Sequence, residues 1–233
     1  MNASRTARER VRAELIREIK DVARRQLAVE GAAGLSLRAV ARELGMVSSA
    51  IYRYFPSRDE LLTALIIEAF DAVGAAVEEA DAACPRDRHL DRWMATCRAI
   101  RAWALAHPHE YALIHGTPVP GYVAPQDTAV AAARDGIVMA GILRDALEAG
   151  ALSPLPGLPS APPSFAADAE RLRQALFARL SDDVILLALE AWTLIYGTVS
   201  FELFGMYKNV IEEDRAAAFD HVALTQAHIL GLA

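Results

Sequence analysis

Apolar residues recur at helical spacing through most of the chain, and no strand-length alternation bounded by hairpin turns is present. Over about residues 6–30, Val11, Leu15, Ile19, Val22 and Leu27 recur every three to five positions with arginines between them. The spacing predicts an amphipathic helix closed by Gly31. In LSLRAVARELG, Ser36 suits an N-cap, and Leu35 and Val40 suit a hydrophobic staple. Leu37, Val40, Ala41 and Leu44 form one stripe, and Gly45 suits a left-handed helix end. In VSSAIYRYF, Val47, Ile51 and Phe55 fall at i, i+4 and i+8, which predicts a shared buried face. Ser48, Ser49, Tyr52 and Arg53 then turn outward. Ser57 and Glu60 read as a capping box opening a long helix over about residues 57–82, with Leu62, Leu65, Ile66, Ala69, Phe70, Val73 and Val77 inward.

Proline divides the remainder. None precedes Pro56 or follows Pro163, and SPLPGLPSAPPS and TPVPGYVAP read as loops because proline removes a donor and clashes inside a helix. Helices are expected over about residues 90–106, 110–115, 127–149, 165–178, 182–207 and 212–230. The last two are apolar on several sides and need covering by more protein. The run from Val184 to Phe201 contains Glu190 and follows Asp182 and Asp183, so it reads as a buried helix rather than a membrane span. The fold class is all-α.

Two short helices joined at a glycine, the second with a polar outer face, match a helix-turn-helix. An ordinary helical hairpin has the same spacing. Charge shifts the balance: residues 1–58 hold 12 Arg and Lys against 6 Asp and Glu, and the rest hold 12 against 24. A basic head on an acidic body suits a polyanion-binding module. Arg58, at the start of its helix, opposes the helix dipole and is easier to understand beside an external anion.

The stretch LSLRAVARELGMVSSAIYRYFPSRDELL, Leu35 to Leu62, resembles the tetracycline-repressor-like (TetR) family of bacterial transcription regulators. The resemblance implies a three-helix DNA-binding head, residues 1–56, joined by a long fourth helix to a larger effector-binding and dimerisation body, residues 57–233. It places Ser36 and Arg58 on phosphate, and Ser48, Ser49 and Arg53 on bases or flanking backbone. Tyr52 goes to phosphate or a base, Tyr54 to backbone, and Ala50 to a thymine methyl. Arg38 joins this DNA-facing set. Plain structural roles stay open for several of them: Tyr54 as half-buried core, Ser48 as an N-cap, Arg38 as a solvated charge. WALAHPHEYALIHGTPVPGYVAP and LEAWTLIYGTVSFELFG resemble a TetR subgroup whose body carries a Trp-x-x-x-His-Gly-like motif; here Trp192 to Gly197, with Tyr196 where histidine is common.

That resemblance implies a dimeric repressor that binds a double-stranded operator and is released by a small-molecule effector, pairing through its last two helices. Aromatic, Met and polar candidates for the effector pocket are Trp93, Trp103, His107, Tyr111, His115, Met139, Trp192, Tyr196 and Phe201. Core packing is the competing explanation for each. Glu190 and Glu202 lie in an apolar helix and need partners, whether a cationic ligand, an arginine or a dimer contact. His107, His109 and His115 do not form a zinc signature. No nucleotide, hydrolase or cysteine-nucleophile motif is present, so no catalytic residue, metal or cofactor is expected. A helical small-molecule-binding protein or enzyme with an incidental helix-turn-helix is the alternative. Two cysteines without a CxxC pair and a polar N-terminus fit a cytoplasmic protein with no membrane association.

Overall fold

The computed structural model describes residues 2–232, with side chains from residue 7 onward. Its described elements are α1 (Asn2–Gly34), α2 (Leu37–Glu43), α3 (Ser48–Ile51), α4 (Arg58–Ala82), α5 (His89–Ala106), α6 (Pro108–His115), α7 (Thr128–Ala132), α8 (Arg134–Glu148), α9 (Ala166–Ala175), α10 (Asp182–Leu203) and α11 (Arg215–Leu230). The all-α class holds. Residues up to Phe70 group with His107–Ala131, and Asp71–Ala106 groups with the chain from Ala132 on. α4 contributes residues to both units, and the stretch around α6 belongs to the first.

In the first unit, Ile19, Val22 and Leu27 of α1 meet Leu37 and Val40 of α2, Ile51 of α3, and Leu61, Leu62 and Leu65 of α4. Burying each such side chain contributes roughly 1.5–3 kcal/mol before ordering costs. Two expected core residues lie outside it. Val11 is 68 % exposed because the first turns of α1 run beyond the packed region. Val47 is 75 % exposed because it is the extended N-cap of α3, so helical i, i+4 spacing does not apply to it. The helical angles of α1 break at Gly31 (φ 68°), where the sequence places the helix end. Ser36 caps α2 by accepting from the Ala39 amide, and Gly45 (φ 65°) follows its last turn. Leu113, Ile114, Val119 and Tyr122 pack on this same core, and Tyr122 shares a 2.9 Å hydroxyl contact with Thr63.

The second unit interlocks α5, α8, α10 and α11. Trp93 of α5 is fully buried and its indole donates to the Ala223 carbonyl of α11 at 3.0 Å. The helix expected over residues 127–149 is two, α7 and α8, interrupted at Ala133; immediately after the break Arg134 is held by α4 and Asp135 by α10. The helix expected to reach residue 207 ends at Leu203 and turns through Gly205, and α11 starts at Arg215, where the Asp214 carboxylate accepts from the Ala217 amide at 2.8 Å. The proline-rich loop is pinned to the end of α11: Ser153 donates to Gly231, and Leu155 to Ile229. Gly231 has φ 82°, and a Cβ there would lie 2.0 Å from the Ser153 carbonyl carbon, so only glycine fits.

Arginines tie these helices together. Arg92, fully buried on α5, binds Asp81 of α4 and Asp145 of α8. Arg98 grips Asp220 of α11, and Arg101 grips Glu202 of α10 through paired hydrogen bonds. Glu202 thus has an arginine partner, and Glu190 is simply exposed. α10 is long and apolar enough to cross a membrane, but a core helix passes the same test; 44 % of its most apolar window is buried in the protein, and Leu194, Phe201 and Phe204 remain exposed.

Candidate nucleic-acid interface and effector cavity

The helix-turn-helix begins with α2, whose buried Leu37 and Val40 fix its orientation in the core and leave Arg38 outside. The turn at Gly45 leads into α3, where Ile51 and then Phe55 anchor the chain. Their burial orients the intervening side chains. Ser48, Ser49, Tyr52 and Arg53 are exposed, and Ser36, Ala50, Tyr54 and Arg58 are half-buried. The side chains of Arg38, Ser48, Ser49, Tyr52 and Arg53 meet no hydrogen-bonding or charged partner among the described residues. Small hydroxyls next to an uncompensated guanidinium suit contact with phosphates and base edges.

Arg58 is different. Its guanidinium donates to the Ala32 carbonyl at 2.8 Å and the Leu35 carbonyl at 3.2 Å, with a longer contact to Ala33. These acceptors lie at the end of α1 and the start of the α1–α2 link. Carbonyl oxygens at a helix end, and the Asp59 carboxylate at 3.5 Å, thus compensate this cation within the protein, whether or not an external anion also sits beside it. Arg12 is a residue the sequence reading missed. It lies over the Tyr54 ring, 5.2 Å from the centroid, and donates to the Arg53 carbonyl at 3.3 Å. It props the segment after α3 from the overhanging part of α1. The only sequence signal was an arginine on the polar side of the first helix.

The second unit holds a cavity of about 170 Å³ lined by Trp93, Met139, Leu143, Leu176, Phe177 and Trp192 among others. One acidic side chain enters this apolar lining. Asp135 is 7 % exposed, and its Oδ2 accepts from the Tyr196 hydroxyl at 2.6 Å and the Trp192 indole at 3.3 Å. The residue before it, Arg134, clamps α8 to α4. Two of its nitrogens meet the Glu78 carboxylate at 2.7 and 2.8 Å, and a third meets Asp71. The hydrogen bond from Arg134 holds the Glu78 carboxyl below its ordinary range, and the same bonds push the guanidinium further up.

Of the pocket candidates, Trp93, Met139 and Trp192 line this cavity, and Tyr196 touches it through Asp135. Trp103 is buried on α5 outside the lining. His107, Tyr111 and His115 belong to the first unit, where His115 packs against Phe70 and Tyr111. Phe201 is 53 % exposed and meets the Tyr207 ring. Among the described residues no three His, Cys, Asp or Glu side chains cluster as metal ligands would.

Comparison with known proteins accounts for both units. Residues 19–65 match the description of bacterial regulatory proteins of the tetR family, and residues 93–225 match the tetracyclin repressor-like C-terminal domain. The chain belongs to the TetR family. The HTH-type transcriptional regulator Rv1816 of Mycobacterium tuberculosis is 41 % identical over 93 % of this chain and 90 % of its own length. The regulator Mb1846 of Mycobacterium bovis matches equally. Among solved structures, that of SCO4313 superposes with a TM-score of 0.77 at 33 % identity, covering 94 % of this chain and 97 % of the other. A Rhodococcus sp. RHA1 protein superposes at 0.66 and 25 % identity, covering 91 % and 90 %. The protein is thus a TetR-family DNA-binding transcriptional regulator, a family that is typically not enzymatic. In this TetR protein, the Trp192–Gly197 motif does visible structural work: its Trp and Tyr converge on Asp135.

Proposed function

We propose that the protein is a homodimeric, cytoplasmic repressor whose operator binding is released by a small molecule in the cavity beside Asp135. The observation that carries the DNA-binding part is the outward set Arg38, Ser48, Ser49, Tyr52 and Arg53, held by buried Ile51 and Phe55 and unengaged by the protein. Ser36, Ala50, Tyr54 and Arg58 flank it; Arg58 sets the α1–α2 geometry, and its half-exposed guanidinium reaches phosphate by giving up its long 3.5 Å contact to Asp59. Two heads read two half-sites, which requires a dimer. The exposed apolar residues Leu194 and Phe201 of α10 and Phe204 just past its end, with Leu224 of α11, supply a self-complementary face.

Release follows from the Arg134 clamp. A ligand seated against Asp135 and Gly136 shifts the first turn of α8, and Arg134 passes that shift to Asp71 and Glu78 of α4. The shifted population has a head separation that no longer matches the half-sites. Arg134→Met keeps operator affinity in the absence of ligand and loses most of the ligand-induced release, a coupling of about 1–3 kcal/mol.

The test is fluorescence anisotropy with DNA from upstream of the protein's own gene against random DNA, over a salt series. Tight, specific binding that falls steeply with salt supports the reading. Binding equal to random DNA defeats it for that site. A monomeric mass by light scattering at micromolar concentration defeats the dimer.

A further inference from the structure

The cavity beside Asp135 says what kind of molecule fits it. Its walls are apolar except at one point, where a carboxylate enters from the first turn of α8. That carboxylate is nine-tenths buried, and among the described residues no Arg, Lys or His forms an ion pair with it. Both protein donors, the Tyr196 hydroxyl and the Trp192 indole, are neutral and meet the same oxygen, Oδ2. Oδ1 keeps its lone pairs for another donor. The α8 N-terminus offers compensation, but only roughly half an elementary charge, shared over its free amides. Buried and half-buried acids elsewhere in this unit are treated differently: Asp81 and Asp145 share Arg92, and Glu202 has Arg101. Asp135 is the exception, and it is the one that faces a cavity.

We propose that the cavity binds a compact lipophilic cation: a primary or secondary ammonium group on a single-ring or short branched apolar body. The ammonium donates to Asp135 Oδ1, a charge-assisted hydrogen bond in a water-poor site. The Trp192 ring at the cavity wall adds a face attractive to a cation. Leu143, Leu176 and Phe177 take the apolar body, and about 170 Å³ gives room for one substituted ring. The acidic excess beyond residue 58 raises the local concentration of cations and disfavours anions. The proposal rests on the reading of this cavity as the effector site.

The experiment is calorimetric titration of the full-length protein with 2-phenylethylammonium, 2-phenylethanol and 3-phenylpropionate. These probes share a ring and differ in charge. The ammonium is expected to bind at least about tenfold tighter than the alcohol, with no detectable binding of the carboxylate. Asp135→Asn, checked for an unchanged melting profile, brings the ammonium down to the affinity of the alcohol and leaves the alcohol within about twofold. Ala188→Phe, which fills the cavity, removes binding of both and locates the site. If the asparagine variant does not fold, the order of the three probes on the native protein decides. Equal binding of ammonium and alcohol, or preferred binding of the carboxylate, overturns the cation assignment and leaves the cavity reading standing. Binding of none of the three overturns both.

Discussion

The helix-turn-helix and the second unit use the same residue in opposite ways. In the second, Arg92, Arg98, Arg101 and Arg134 each reach a carboxylate on another helix with two or more nitrogens. In the first unit, Arg25 does likewise with Glu43 and Arg24 reaches Glu68 with one nitrogen, but Arg38 and Arg53 on the helix-turn-helix stay outside any such pair. An arginine satisfied at home is structural cement. One left in solvent keeps its charge and its donors for a phosphate or a guanine edge. The contrast separates the arginines that hold shape from those proposed to read DNA.

The largest expected effect lies where a guanidinium is most enclosed. Arg92→Met removes the buried one of the two cations that Asp81 and Asp145 share, leaving only the exposed Arg86, and is expected to cost about 2 kcal/mol of stability, read from urea denaturation. A loss below about 1 kcal/mol breaks the comparison from the structural side. The cluster also sets a pH dependence. Burial pushes the Asp145 carboxyl up, but hydrogen bonding and charge from Arg92, with Arg86 and Arg144, bring it below its ordinary value. A carboxyl depressed in the folded state contributes stability that is present above its unfolded value, near 4, and lost as pH falls through the folded value. Urea midpoints followed downward from pH 5 are expected to fall less steeply in Arg92→Met than in the native protein.

Next is the reading surface. Arg53→Ala is expected to lose about 1–3 kcal/mol of operator affinity, with little loss on random DNA and an unchanged melting temperature. Equal loss on both DNAs moves Arg53 from base reading to backbone contact. Arg58→Ala sharpens the comparison because this arginine stands between the two uses. It is expected to lower the stability of the protein by about 1 kcal/mol, since three carbonyls lose a charged donor that is partly solvent-screened. It also weakens binding to all DNA sequences alike. A changed salt slope with unchanged stability makes Arg58 purely a phosphate contact.

The smallest effect concerns the thiols. Cys97 is fully buried and burial pushes its thiol well up, whereas Cys84 is half-buried. Maleimide is expected to label Cys84 in the folded protein and Cys97 only after denaturation. Rapid labelling of both indicates that α5 opens readily.

Local signals in the sequence carry little ambiguity in the head. Ser36, Gly45 and Ser57 act within three or four residues of themselves, so capping chemistry alone places α2 and α4. The same local logic fails at Val47, where the periodicity continues past the end of the helix it describes. In the body, Met139 and Trp192 stand 53 positions apart, and no pattern in either segment shows that they share a cavity. Asp135 carries no signal in sequence, because its importance comes from Tyr196 and Trp192 on another helix.

What the sequence determined by itself is what short-range physics governs: helical class, caps, breaks at proline and glycine, the charge split, and the outward set on the helix-turn-helix. What only the tertiary structure decided is which charges meet. It closed Arg58 onto backbone carbonyls, gave Glu202 an arginine, joined α6 to the head core and left Asp135 facing a cavity with neutral donors alone. The reason is one of range: helix periodicity and capping act over about one turn, whereas an ion pair or a cavity wall is set by side chains that only packing brings together.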